Sequence, residues 1–193
     1  MMRYAILTCV FLSLGMSVAL AVPPSADDPC AAFTWDVGHE RTLFGQQAQP
    51  LDAGQMAAAS PALAIDRLYQ LQLKTQPQVT FVAQPGKKLP NEAESFAGLA
   101  SLTVETGGVY RIALDQGLWV DVIANGTVLQ ARDFQGRRGC NAPHKVVEFL
   151  LPVGSPITLQ FSGSSVAVVK VAVTRSPGGT SQPFESPINQ HRR

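Results

Sequence analysis

The chain has 193 residues, of which 46% are hydrophobic and 15% charged, and its formal net charge is +1. That length suffices for one domain with a hydrophobic core. The apolar content excludes a wholly disordered chain, which would combine low hydrophobicity with high net charge. The near-zero charge argues against a nucleic-acid binder, because such binding requires an excess of clustered cations.

The first 21 residues have the pattern of a cleaved secretory signal. Arg3 precedes an apolar run over residues 5–14, and small residues at 19–21 precede two prolines. The run is shorter than the roughly 20 apolar residues that a spanning helix needs. We therefore predict a periplasmic or secreted protein that has no transmembrane segment after cleavage. Its mature chain of 172 residues would have zero net charge.

Cleavage would remove Cys9 and leave two cysteines, Cys30 and Cys140. An even pair in an oxidising compartment favours a disulfide. The bond would tie the N-terminal segment to a late loop, and the chain-entropy model assigns about 4 to 5 kcal/mol to so long a closed segment. The alternative is two free thiols, with Cys140 as a reactive thiolate beside Arg137 and Arg138.

Residues 22–64 predict a short helix followed by a connector. Asp28 and Pro29 can cap and open a helix, and the apolar residues that follow are spaced to share one face. Residues 45–64 are rich in Gln, Ala, Gly and Pro, which is typical of a connector that crosses the surface.

From residue 68 onward, apolar and polar residues alternate with a period of two, which is typical of strands with one wet face. Turn signals separate the segments, and the clearest is Asn125-Gly126, which favours a type I′ hairpin turn. Residues 84–90 are rich in Pro, Gly and Lys and predict a solvated loop. The predicted strands are 68–74, 79–82, 99–104, 109–115, 118–124, 127–132, 145–151, 157–161 and 166–174.

Short strands without intervening amphipathic helices favour antiparallel pairing. We therefore predict an all-β fold, an antiparallel β-sandwich of jelly-roll or Greek-key order with a short N-terminal helix. The predicted organisation is a signal peptide (1–21), an N-terminal helix and connector (22–64), a β-sandwich domain (65–175) and a flexible tail (176–193).

Histidines are too few to indicate a metal centre. Metal sites on β scaffolds usually combine two or three imidazoles, often with a carboxylate. Of the three histidines, only His144 adjoins the predicted strands, and Glu148 follows it on the same face of a strand. One imidazole and one carboxylate hold a metal poorly, and the chain has no Gly-x-Ser-x-Gly nucleophile elbow. We therefore predict no metal ligand, no cofactor and no catalytic residue.

A binding function needs only an exposed aromatic ring and a charged loop at the rim of the sandwich. Trp119, Phe134 and the cationic loop 133–145 provide these features. Such a loop could meet an anionic small ligand, such as an anionic sugar or a lipid headgroup, or an acidic protein. The alternative is that the tryptophan packs in the core and the arginines only keep the loop hydrated. The candidate ligand-binding residues are Trp119, Asp133, Arg137, Arg138 and His144.

Several strand and turn segments resemble those of known exported proteins. The segments are GVYRIAL at 108–114, WVDV at 119–122, GC at 139–140 with PHK at 143–145, and LPVG at 151–154. Through them, residues 28–174 resemble a group of small exported bacterial β-sandwich proteins of uncertain role. The general form is also similar to pre-peptidase C-terminal type domains, which are accessory modules of secreted proteins.

Some members of the exported group carry a homogentisate 1,2-dioxygenase label, which implies a cupin-type iron enzyme that opens an aromatic ring. The cupin pattern contains a His-x-His pair, a following Glu and a further His, and this sequence lacks it. The resemblance therefore assigns no catalytic residue. We expect a non-enzymatic binding or accessory module, with a metal-dependent ring-cleaving dioxygenase, or a structural protein that pairs through a sheet edge, as alternatives.

Overall fold

The computed structural model of the protein describes residues 28–88 and 91–178. The predicted signal peptide and residues 179–193 of the predicted tail lie outside the described residues. Within the described ranges, no helix is both long enough and apolar enough to cross a bilayer.

Twelve strands in the described residues form two facing sheets. The first sheet contains β1 (Gln49–Asp52), β3 (Leu68–Gln72), β6 (Gly108–Leu114), β9 (Asp133–Gly136), β10 (Lys145–Leu151) and β12 (Val168–Arg175). The second sheet contains β2 (Ala62–Leu63), β4 (Lys74–Thr75), β5 (Phe96–Leu102), β7 (Trp119–Ala124), β8 (Thr127–Leu129) and β11 (Ile157–Ser164). One α-helix, α1 (Gly38–Phe44), precedes them.

The central strands have jelly-roll order. The first sheet runs β3-β12-β6-β10 and the second runs β5-β11-β7-β8. The pairs β3 with β12, β5 with β11, β6 with β10 and β7 with β8 are all antiparallel and nested along the chain. Two Greek keys closed in this way define a jelly roll. The predicted antiparallel β-sandwich with a short N-terminal helix is therefore confirmed.

Alternating side chains fill the space between the sheets, as the period of two predicts. Ile112 of β6, Val122 of β7 and Leu159 of β11 are fully buried in this core. The hairpin between β7 and β8 turns at Asn125 and Gly126, whose φ angles of 51° and 74° are those of the predicted type I′ turn. The apolar pattern and the turn residues thus agree on the register of these strands.

Residues 45–64 contain two strands that the sequence analysis did not predict. β1 pairs parallel with β3, and β2 pairs parallel with β5, so both sheets are mixed at one edge. Neither strand has enough alternation to be recognised, and β1 contains Pro50. Proline is tolerated there because an edge strand needs ladder hydrogen bonds on one side only.

The predicted strand at 79–82 is wrong. A short 3-10 helix (Gln76–Gln78) precedes this segment, which forms part of a loop over the outer face of the second sheet. The Gln160 side chain accepts hydrogen bonds from the backbone N–H groups of Val82 and Ala83 and donates one to the Ala83 carbonyl. The backbone groups of Val82 and Ala83 therefore bond to the buried Gln160 side chain and not to a neighbouring strand.

The N-terminal helix is shorter than the spacing of apolar residues predicts. Asp28 caps a single 3-10 turn (Pro29–Ala32) by accepting from the Cys30 N–H, and α1 begins only at Gly38. Apolar residues of this segment pack on outward-facing residues of the first sheet. Cys30 forms a disulfide with Cys140, with 5.0 Å between the Cα atoms. The segment is thus a third layer over the first sheet.

A buried ion network fixes α1 to the sheet. Arg111 of β6 is 5% exposed, and its Nε donates to Glu148 Oε1 at 2.9 Å. Its Nη1 donates to the Asp36 carbonyl at 2.6 Å and lies 3.6 Å from Glu40 Oε1. Thr174 Oγ1 donates to the same Glu40 oxygen at 2.7 Å. One guanidinium therefore connects a carboxylate of α1 with a carboxylate of the sheet.

Candidate functional site

A pocket of about 530 Å³ opens on the rim of the sandwich, where the first residue of β7 approaches β9 and the first residue of β10. Its volume lies in the range of ~300 to 1,000 Å³ that is usual for small-molecule sites. We call it the rim pocket. Its lining residues are Lys87, Gly117, Leu118, Trp119, Phe134, Gly136, Arg138, His144 and Lys145.

The charge of the rim pocket is one-sided. Among the described residues that line it, Lys87, Arg138 and Lys145 are cations, and none is an aspartate or glutamate. A concave site with one sign of charge and low-dielectric walls concentrates counter-ions. The electrostatics of the pocket therefore favour an anion.

Lys145 lies at the centre of this charge. Its Nζ is 5.3 Å from the centroid of the Trp119 ring and 5.9 Å from that of Phe134, and it donates to the Leu118 carbonyl at 3.2 Å. Lys87 Nζ lies 6.0 Å from the same indole. Both ammonium groups are in the range of cation–π attraction. Two cations thus share one aromatic ring.

Burial lowers the pKa of Lys145, and the neighbouring charge of Lys87 lowers it further, against a smaller opposite effect of Asp121. Both effects destabilise the charged form of Lys145, because burial removes its hydration and Lys87 places a like charge near it. The positive charge of Lys145 is therefore incompletely balanced in the protein, and a bound anion would balance it.

Lys145→Met is expected to raise the thermal stability of the protein at neutral pH. The folded-state pKa of Lys145 lies below the ordinary lysine value of 10.5, so the charged side chain is less favourable in the folded than in the unfolded protein. Methionine keeps the apolar stem and removes the charge. This advantage should shrink as the pH rises from the lowered pKa towards 10.5, because the parent then folds with a neutral lysine.

Thermal unfolding of both proteins over this pH range measures the effect. Lys88→Met is the matched control, because Lys88 follows Lys87 in the same loop, is exposed and does not line the rim pocket. A melting temperature of Lys145→Met at or below that of the parent at neutral pH would contradict the expectation.

His144 offers the pocket an acceptor. Its Nδ1 lies 3.1 Å from the Cys140 carbonyl oxygen, and because a carbonyl only accepts, Nδ1 is the donor. In the neutral ring this leaves Nε2 with a free lone pair. His144 and Gly117 both line the pocket, and a Cβ atom on residue 117 would be in van der Waals contact with Nε2, at 3.5 Å.

Asp121 holds two parts of the rim pocket in place. It is 5% exposed, and its carboxylate accepts from Trp119 Nε1 at 2.7 Å and from the Gly86 N–H at 3.2 Å. The first contact orients the indole, and the second anchors the loop that carries Lys87. A Cβ atom on Gly86 would lie 2.8 Å from the carboxylate, so any other residue there would force the Asp121 side chain to shift.

The structure brings three of the five predicted binding residues together. Trp119, Arg138 and His144 line the rim pocket, and the indole is half-buried there rather than packed between the sheets. Asp133 and Arg137 do not line it. Phe134, a candidate from its exposed aromatic ring, also lines it.

Arg137 and Asp133 have local partners instead. Arg137 Nε donates to the Ala32 carbonyl, and its guanidinium lies 5.3 Å from the Phe33 ring, so it braces the N-terminal segment. Asp133 is exposed and accepts from the Phe134 N–H at 2.7 Å. In addition, residues 133–136 form β9, an edge strand paired with β10, although the sequence predicts a loop there.

Lys87 and Lys145 are not among the five candidate residues, although Lys145 is the last cation of the candidate loop 133–145. Lys87 lies in the segment that the composition predicts to be a solvated loop, and Lys145 begins a strand directly after His144. The Trp119-x-Asp121 spacing, which puts both side chains on one face of a strand, was the available signal for an anchored indole. Nothing in the sequence indicated that the loop of Lys87 would reach that indole.

The pair of His144 and Glu148 does not form a metal site. Glu148 is engaged by Arg111 and by Ser176 Oγ, which donates to it at 2.6 Å. Across residues 28–88 and 91–178, no group of three or more histidine, cysteine or acidic side chains is placed to hold a metal ion. The described residues therefore do not fit the donor set of a ring-cleaving iron centre.

Comparison of the chain with known proteins found no matching family model and no matching curated protein. The geometry of the rim pocket is therefore the basis for any statement about function.

Proposed function

We propose that the protein is an exported, non-enzymatic β-sandwich module that binds an anionic ligand in the rim pocket. The observation that carries the proposal is the lining of the pocket, which has three cations, two aromatic rings around Lys145 and no carboxylate among the described lining residues. An anion would replace the water that burial removes from Lys145. The aromatic rings would supply apolar contact area for the rest of the ligand.

Two features support a periplasmic or secreted location. The first 21 residues have the signal-peptide pattern, and a disulfide joins Cys30 to Cys140. Disulfides persist in oxidising compartments and are rare in the cytosol. No observation on the described residues favours the alternative functions, a ring-cleaving dioxygenase or an assembly protein that pairs through a sheet edge.

The proposal is tested with matched aromatic probes. The protein should bind benzoate and phenyl sulfate, which are anions, more tightly than phenol, which is neutral. Lys145→Met should weaken binding of both anions by about tenfold or more, because it removes a partly desolvated charge partner. Isothermal titration and amide chemical shifts at low salt measure the affinities, and Lys88→Met is the control of equal charge change.

Trp119→Ala should weaken binding of all three probes, since it removes the indole ring that lines the pocket and supplies apolar contact area. Equal affinity for phenol and the two anions would refute the proposal. So would anion binding that falls equally in Lys145→Met and Lys88→Met, because the interaction would then depend on net charge and not on this site.

A further inference from the structure

The rim pocket is rich in hydrogen-bond donors and poor in acceptors. Lys87, Arg138 and Lys145 present only donors, and His144 Nε2 is the one side-chain acceptor among the described lining residues. Trp119 Nε1 is already bound to Asp121. A sugar with many hydroxyl protons would leave most of them without acceptors, at a cost in free energy. The pocket therefore favours a ligand whose polar atoms are acceptors.

The number of cations favours a head group with more than one charge. Lys87 and Lys145 lie near the same indole, at 6.0 and 5.3 Å from its centroid, and Arg138 adds a third charge. A carboxylate or a sulfate ester carries one negative charge and balances one of them. A phosphate monoester carries ≈ −1.5 to −2 at pH 7 and has three acceptor oxygens. It matches both the charge and the donors.

The aromatic side chains favour a flat group attached to that head. Phe134 is 64% exposed on the edge strand β9, and the Trp119 ring is half-buried; their centroids lie 5.9 and 5.3 Å from Lys145 Nζ. Exposed rings offer stacking area. The pocket, at about 530 Å³, is far larger than an inorganic ion needs.

From these contacts we infer that the rim pocket takes a phosphate monoester carried on a flat ring, such as an aryl phosphate or a nucleoside monophosphate. The phosphate lies between Lys87 and Lys145, and the ring packs on Trp119 or Phe134. This inference rests on the proposed binding function and adds the class of ligand to it.

Compounds that share a phenyl ring but carry different head groups test whether the pocket prefers a doubly charged head group. At about pH 7.5, where the phosphate is mostly doubly ionised, phenyl phosphate should bind about tenfold tighter than phenyl sulfate or benzoate. Lys87→Met should reduce this ratio to near one, whereas Lys88→Met, in the same loop but outside the pocket, should leave it unchanged. Thermal unfolding of each variant shows that it is folded.

The ring is tested separately. Inorganic phosphate should bind more weakly than phenyl phosphate, and the double variant Trp119→Ala with Phe134→Ala should remove that difference. Adenosine monophosphate distinguishes nucleoside monophosphates from aryl phosphates as the ligand. If it binds more tightly than phenyl phosphate, the ligand is a nucleotide, and if it binds more weakly, the ligand is an aryl phosphate. Either order supports the inferred class.

Two results would overturn the inference. If phenyl phosphate and phenyl sulfate bind equally, and both bind more tightly than phenol, the inferred preference for a phosphate head group is refuted. The proposed anion-binding function then stands. If inorganic phosphate and phenyl phosphate bind equally, the ring of the ligand contributes no affinity, and the inference of a flat ring is refuted. Failure of every anion to bind better than phenol would instead refute the proposed function itself.

Discussion

Arg111→Met is expected to lower the free energy of unfolding by about 3 to 5 kcal/mol. Arg111 is the cation between Glu40 of α1 and Glu148 of β10, and the three side chains are only 6%, 1% and 16% exposed. Removing it leaves two carboxylates in a water-poor site without their partner. The cost of burying an uncompensated charge exceeds the value of the ion pair itself, which is why the effect is large.

Urea unfolding followed by fluorescence and circular dichroism measures the change. Arg41→Met is the control, because Arg41 lies next to Glu40 on α1 but forms an exposed ion pair with Asp28, at 2.9 Å. Such pairs contribute about 0.2 to 1 kcal/mol. If the two variants lose similar amounts of stability, the buried network does not hold α1 on the sheet.

The double variant Cys30→Ser with Cys140→Ser is expected to lose about 4 kcal/mol of stability. The bond closes a loop with a sequence separation of 110, and a long closed loop removes much conformational freedom from the unfolded chain. Cys140 also belongs to the loop that carries His144, whose Nδ1 binds the Cys140 carbonyl. Loss of the bond should therefore weaken binding in the rim pocket as well as stability.

Urea unfolding of the parent, with and without a thiol reductant, and of the double variant measures the contribution. The reduced parent and the variant should unfold at the same lower urea concentration. Two alkylatable thiols in the exported, oxidised parent would contradict the disulfide, and an unchanged midpoint in the variant would contradict its energetic role.

Both of these effects act on one structural unit. The N-terminal segment is held by the disulfide and the Arg111 network, and it in turn contacts β9, where Gln135 Oε1 accepts from the Thr34 N–H at 3.0 Å. Arg137 binds the Ala32 carbonyl in the same region. Because β9 contributes Phe134 to the rim pocket, the segment supports the strand that forms one wall of the site.

The pattern of residues by itself determined the sandwich. The predicted strand 145–151 agrees in full with β10, and Asn125 and Gly126 form the expected turn. These features are local: a period of two sends alternate side chains to one face, and a positive φ suits few residues. The disulfide could also be predicted from the sequence, because only two cysteines follow the predicted signal peptide.

Only the tertiary structure decided the edges and the pocket. β1 and β2 exist because the free edges of β3 and β5 supply hydrogen-bond partners, and residues 79–82 bond to the Gln160 side chain instead of a strand. The rim pocket unites Lys87 with Lys145, which are distant in the chain and meet on one indole. Alternation specifies which face a side chain occupies, but the nested order of strands specifies which faces come together, and that order arises from long-range packing.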